Sequence, residues 1–265
     1  MPFNRGATTE KQRTLRAALM TAVLVGASLP ASAQPTPWED RVFVNLSFGV
    51  DTGTTEIAQS GTLPDLIYGE PATFQTDAEF GSFAIFDFAV GARIYRNVAV
   101  AIAYHTGGTT GDGTISGTVP HPQFFDRPRS FTLAFDDAER DEHATHLQIG
   151  WMVPVNDKFD VFIYGGPSFY QVTQEMVTNI SFTEQGPPYT SVTVLANVQR
   201  QKENATGYNF GVDGTYFAYT ADQWRLGVGG FLRFTGATAK FNVGGTTFET
   251  DAGGVQFGFG ARLRF

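Results

Sequence analysis

The chain has 265 residues and no cysteine, with 18 basic against 26 acidic side chains for a net charge of −8. The missing thiols exclude disulfide staples, zinc–thiolate sites, thiol nucleophiles and a lipoprotein anchor, and the acidic balance argues against a nucleic-acid partner. Phe (25) and Gly (30) are both abundant while mean hydropathy stays near zero, which excludes a helical membrane protein and favours an all-β chain.

In chain order, Arg5, Lys11, Arg13 and Arg16 precede an apolar run at 17–29 and the small tripeptide Ala31-Ser32-Ala33. This pattern predicts a secretory signal peptide over 1–33, cleaved to leave a mature domain at 34–265, because the run falls short of the ~20 residues of a spanning helix. Without the leader, 14 basic residues face 25 acidic ones, a net of about −11.

Strict alternation then marks the strands. At 42–50, Val42, Val44, Leu46, Phe48 and Val50 alternate with Phe43, Asn45, Ser47 and Gly49. At 82–94, Phe86, Phe88, Val90, Ala92 and Ile94 oppose Ile85, Asp87, Ala89, Gly91 and Arg93, and a tight turn at Tyr95-Arg96-Asn97 leads into Val98, Val100, Ile102 and Tyr104 against Ala99, Ala101, Ala103 and His105. A fourth strand sets Thr145, Leu147, Ile149, Trp151 and Val153 against His146, Gln148, Gly150 and Met152. The fifth, 161–170, carries bulky apolar groups on both faces and has no readable phase. At 207–219, Tyr208, Phe210 and Val212 oppose Asn209, Gly211 and Asp213, and the seventh strand sets Trp224, Leu226, Val228, Leu232 and Phe234 against Arg225, Gly227, Gly229, Phe231 and Arg233.

In the last strand Val255, Phe257, Phe259, Ala261, Leu263 and Phe265 fall on one face, with Gln256, Arg262 and Arg264 on the other. An apolar face suited to hydrocarbon and a polar face suited to a lumen form the dyad pattern of an outer-membrane strand. Here the chain resembles bacterial outer-membrane β-barrels, whose closing strand ends in an aromatic read by the barrel-assembly machinery, and Gly260, Leu263 and Phe265 match that terminal pattern. The resemblance covers roughly 38–265 and is to OmpA-type, OmpX-like and porin-family surface barrels.

The expected fold is therefore an all-β, eight-stranded antiparallel up-and-down transmembrane β-barrel in the bacterial outer membrane, in contact with its lipid and lipopolysaccharide. Three short turns alternate with four long connections at 51–81, 106–142, 172–206 and 236–252, placing turns in the periplasm and extended loops outside. Within the loops, 172–182 and 191–198 are expected to continue as a hairpin. Tyr95, Tyr104, Trp151, Tyr208, Trp224, Phe234 and Phe265 gather near strand ends as an aromatic girdle would. A secreted soluble barrel would instead line its cavity with the apolar face, but a second face of Gly, Ala, Ser and isolated charges suits a narrow lumen better than a solvated exterior.

The inward faces gather Asp87, Arg93, His105, Asp213, Arg225, Arg233, Arg262 and Arg264, joined by His146, Gln148, Asn209 and Gln256. Charges in so small a lumen must pair, so Asp87 and Asp213 are expected to bridge to arginines among Arg93, Arg225, Arg233 and Arg262. The pairs would either plug the barrel or gate a polar pore. His143 and His146, three apart, would point to opposite faces of a strand and are not expected to share a metal. Lipid-A deacylases and palmitoyltransferases are also eight-stranded barrels, yet the deacylase's His-x-Ser strand motif is missing after His105 and His146. Neither enzymatic activity nor any cofactor or metal is expected; His105 would be the most plausible base. The outer loops are acidic, with Asp51, Glu56, Asp65, Glu70, Asp77 and Glu79 in the first and Asp136, Asp137, Glu139, Asp141 and Glu142 in the second, a pattern of solubility that also suits Ca²⁺ or Mg²⁺ at the lipopolysaccharide surface. Surface structural or adhesive work on an extracellular ligand is the first functional expectation, passive permeation of small solutes the second, and a lipid-A-modifying enzyme the third.

Overall fold

The computed structural model describes residues 39–67, 69–243 and 246–265; the leader expected over 1–33 lies outside them. Among the described residues eleven strands follow one another: β1 (Val42–Asp51), β2 (Thr55–Ile67), β3 (Glu70–Phe80), β4 (Phe83–Tyr95), β5 (Val98–Val119), β6 (Arg129–Asn156), β7 (Phe159–Glu184), β8 (Val192–Thr220), β9 (Arg225–Val243), β10 (Thr246–Ala252) and β11 (Val255–Arg264). Antiparallel pairings run from β1 through β4, β5, β6, β7, β8, β9 and β11 back to β1, so a ring of strands closes. The first and last strands make the seam, with Phe43 opposite Arg264 and the Phe265 N–H donating to the Val42 carbonyl at 2.9 Å. Gly260 is required there, since a side chain would run into the Leu46 carbonyl.

The expected total of eight strands is corrected to eleven among the described residues, eight of which make the ring. β2, β3 and β10 form inside connections read as loops, and β5 to β9 run far beyond the ring. The β7–β8 ladder alone continues from Phe159↔Tyr216 to Glu184↔Val192. Those segments keep a period of two, but their apolar residues are spaced among Thr, Gly and charged residues, so no wholly apolar face announces them.

One end of the ring carries short turns at 96–97, 157–158 and 221–224, with Arg96 in the left-handed region at φ 49°. At the other end the long strands rise as a tower. Within the ring, outward residues such as Ile102, Ile149, Val228 and Phe259 are exposed, while Asp87, His105, Asp213, Arg233 and Arg262 are buried. In the tower the polarity inverts. Ile115, Val119, Phe131, Val177 and Ile180 form a buried apolar cluster, and Glu56, Asp77, Glu79, Asp112 and Asp137 are exposed.

The fifth predicted strand now has a phase. Asp160, Phe162, Tyr164, Ser168 and Tyr170 face inward and Ile163 and Phe169 outward; both faces look apolar because aromatic rings help fill this interior. Phe162 meets Phe43 edge-on at 5.4 Å and stacks on Tyr164 at 5.2 Å. Nearby, the β6–β7 ladder passes from His146↔Ser168 to Ile149↔Gly165 without pairing the residues between. Pro167 has no N–H to offer there, and unpaired wall carbonyls facing an apolar medium are costly. The Asn209 amide covers them from inside, donating to the Gly166 and Pro167 carbonyls at 3.0 and 3.1 Å.

Candidate functional site: the filled interior of the ring

The interior is a stack of charge-assisted contacts. Nearest the turns, Arg264 donates to Asn45 Oδ1 at 2.7 Å and to Thr215 Oγ1 at 3.0 Å, with Asp160 at 3.5 Å and its guanidinium 5.1 Å from the Phe43 ring centre. Above it Arg262 pairs with Asp213 at 2.6 Å and donates to Ser47 Oγ at 2.8 Å. Higher again, Arg233 pairs with Asp87 at 2.6 Å and with Gln256 Oε1 at 2.7 Å, and Gln256 donates onward to Asp51 at 2.7 Å. At the top, Arg140 holds Glu142 at 2.6 Å and reaches the Asp251 carbonyl on β10 at 2.7 Å.

Asp87 and Asp213 thus meet Arg233 and Arg262. Arg225 turns instead to Asp40 at the turn end, where it also lies over the Phe217 ring, and Arg93 is half-buried near the end of β4 with its N–H donating to the Arg41 carbonyl. The aromatics fall at the two ends of the ring's outer face. Tyr95, Trp151, Trp224 and Phe265 are exposed toward the turns, Tyr104 and Tyr208 toward the tower, and Phe234 is half-buried.

Two acidic residues assigned to the loops are corrected. Asp51 is fully buried and Glu142 is 2% exposed, both inside and both bonded. Asp51 extends the inward series Phe43, Asn45, Ser47 and Gly49 by one step, a signal the sequence carried. Glu142 and Arg140 lie on the same face as His146 by parity, four and six residues before it.

A second network was not anticipated. Asn209 Nδ2 donates to Ser168 Oγ at 3.1 Å, Ser168 Oγ lies 2.7 Å from His146 Nδ1, and His146 Nε2 lies 2.8 Å from His105 Nδ1. The Arg233 guanidinium N–H 3.4 Å from His105 Nδ1 makes that nitrogen an acceptor, so His146 donates to it from Nε2–H and accepts the serine hydroxyl at Nδ1. A serine joined to a base that is oriented by a second imidazole is an arrangement able to move protons. Ser168, His105 and His146 are each 0% exposed, so no substrate reaches the hydroxyl in this conformation. Ser168 escaped notice because its strand could not be phased. His143 faces outward instead, near Tyr104 and Thr106, so the two histidines do occupy opposite faces.

No family model matches the chain, and no curated protein matches it. Among solved structures it is similar to the outer membrane protein OprG from Pseudomonas aeruginosa, with TM-score 0.41 and 10% identity over 88% of this chain and 99% of that one. It is also similar to the outer membrane protease OmpT from Escherichia coli, with TM-score 0.45 and 11% identity over 89% and 99%. A third is the outer membrane protein AlkL, with TM-score 0.34 and 13% identity over 90% and 96%. Identities this low speak to fold alone. They nevertheless correct the expectation that the chain is not an enzyme: one similar structure is a protease, so the architecture gives no ground for excluding catalysis. At 11% identity it does not establish catalysis either.

Proposed function

We propose that this outer-membrane β-barrel is a rigid membrane pillar that presents its tower as a surface-interaction module. The carrying observation is that the tower has its own buried apolar cluster and is tied at its tip, where Arg129 on β6 makes paired 2.6 Å bonds to Glu184 on β7. Segments built this way hold a fixed shape, and a fixed shape presents a binding surface without the ordering cost a flexible loop incurs. The filled interior supports a pillar over a pore: Arg233, Arg262 and Arg264 are each at most 1% exposed and lie across the ring. In this reading Gly260, Leu263 and Phe265 are the residues read by the barrel-assembly machinery, and the chain is exported by its leader to a bacterial outer membrane.

Two measurements test the reading. The folded protein in a planar bilayer is expected to show no steady open current, and a variant with 112–137 and 177–197 replaced by short turns is expected to lose binding to host cells or matrix while keeping heat-modifiable migration on a gel. A steady current would favour the solute pore. Binding that survives the trimming would remove the tower from the function.

A further inference from the structure

The outer wall has two adjoining hollows, one across β1 and β4 to β7 and one across β5 to β8. The one nearer the turns, about 550 Å³, is apolar and includes Ile102, Leu147, Ile149, Gly165 and Pro167; the one nearer the tower, about 540 Å³, includes Tyr104, His143, Phe169, Gln171 and Asn204. The registers stack them. Ile102↔Leu147 lies one same-face step from Tyr104↔Thr145, and Pro167↔Tyr208 one step from Phe169↔Thr206. An apolar groove in the hydrocarbon-facing belt therefore opens at its rim into a polar pocket. The groove continues onto β7 at Gly165, which has no side chain between its cross-strand neighbours Ile149 and Phe210.

The pocket's chemistry is that of a donor. Thr106 Oγ1 and Tyr104 OH lie 2.8 and 3.2 Å from His143 Nδ1; a hydroxyl donating to Nδ1 leaves the ring proton on Nε2. Gln171 Nε2 donates to Asn204 Oδ1 at 3.4 Å, which leaves the Asn204 amide N–H groups available. One same-face step above Asn204 stands exposed Lys202. Arg200, a step further, is already neutralised by Glu139 at 2.9 Å and Asp141 at 2.7 Å, which leaves Lys202, just beyond the pocket's lining, as the cation one step from Asn204. These donors sit on β6 and β8, about 10 Å apart at the usual strand spacing, a span that suits a phosphorylated sugar better than a single glycerol phosphate.

We propose that this face binds one molecule of outer-leaflet lipopolysaccharide, with an acyl chain in the Gly165–Pro167 groove and the phosphorylated sugar headgroup on His143, Asn204 and Lys202. The site shares with the pillar reading only its placement in the membrane, and its loss would leave conductance and tower binding unchanged.

Native mass spectrometry of the detergent-solubilised folded protein, with lipid A or phosphatidylglycerol added, tests it. One lipid A adduct is expected to survive activation. His143→Ala and Lys202→Glu should each weaken retention roughly tenfold, the loss of one hydrogen bond or contact to a charged group. Gly165→Leu should fill the groove and lower retention too; its Cβ would meet the Asn209 carbonyl at 3.3 Å and Phe210 Cδ2 at 3.5 Å, contacts that small shifts relieve. Heat-modifiable migration checks folding, and if Gly165→Leu fails to fold, His143→Ala decides alone. Equal retention by wild type and His143→Ala overturns the site, and phosphatidylglycerol held as firmly as lipid A overturns the choice of occupant.

Discussion

Ring and tower share the long strands β5 to β9 and have opposite polarity. Along β5, His105 is fully buried and polar while Ile115, ten residues on and on the same face, is fully buried and apolar. Along β5 the alternation keeps its phase, while β6 shifts its phase by a bulge at 136–137, and on β5 the apolar set changes sides. The medium accounts for this: where the outer face meets hydrocarbon, polar side chains gain only by facing inward and satisfying one another. Where it meets water, the hydrophobic effect returns the apolar residues to the interior. The switch is physical rather than topological, and it divides the molecule into a ring whose interior joins ion pairs to aromatic packing and a tower whose interior is an apolar cluster.

The largest expected effect breaks an ion pair in the ring. Arg262 is 0% and Asp213 5% exposed at their side chains, so Asp213→Ala leaves a buried guanidinium uncompensated and should cost about 3–5 kcal/mol. Urea unfolding from lipid vesicles, followed by heat-modifiable migration, measures it. Asp213→Leu combined with Arg262→Met should recover most of that loss, because replacing both charges removes the desolvation penalty along with the pair. A single-mutant loss below about 1 kcal/mol, as for solvated pairs, would mean that water reaches Arg262 and the interior is wet.

A smaller effect belongs to the tower. Ile115 is 0% exposed within its cluster, and Ile115→Ala should cost about 2–4 kcal/mol of local stability through lost burial and a cavity. Proteolysis should quicken at the tower tip while the ring keeps its heat-modifiable migration. Ring and tower failing together would show one cooperative unit and dissolve the division drawn above.

The same inversion explains what could be read in the sequence. Alternation located the strand segments that cross the ring, except in β7, because there an apolar outward face stands against Gly, Ala and isolated charges. Asp87 with Arg233 and Asp213 with Arg262 were within reach, since few opposite charges share so small an interior. Alternation with the apolar residues on the inner face, spaced among Thr and Gly, looked like loop, so β2, β3 and β10 were missed. Asp51 was lost by ending a strand one residue early. Ser168 was lost because Phe162, Tyr164 and Tyr170 gave both faces of β7 the same character. The His105–His146 contact joins residues 41 apart on adjacent strands, and it could be found only once the β5–β6 register was known.

The tower's clamp gives the smallest and most selective test. Arg129 holds both carboxylate oxygens of Glu184 at 2.6 Å and also reaches the Pro120 carbonyl at 2.8 Å, tying the β5–β6 tip to the β7–β8 tip. The hydrogen bonds from Arg129, more than its charge, hold the Glu184 carboxyl below the usual glutamate range. With side chains 10% and 30% exposed, the pair contributes about 1 kcal/mol or less after solvent screening. A carboxyl whose pKa is lower folded than unfolded stabilises fully above the unfolded value, about 4.3, and loses that contribution as pH falls through the lower folded value. Protease nicking at 185–191 should therefore be slower in wild type than in Glu184→Gln from neutral pH down to about pH 5, and the two rates should converge only as pH falls below the lowered folded value. Taking the ratio at each pH cancels the protease's own pH profile. A ratio near one at neutral pH would mean that the tip is held by the apolar cluster alone, and one that stays constant into strong acid would remove Glu184 as the titrating partner.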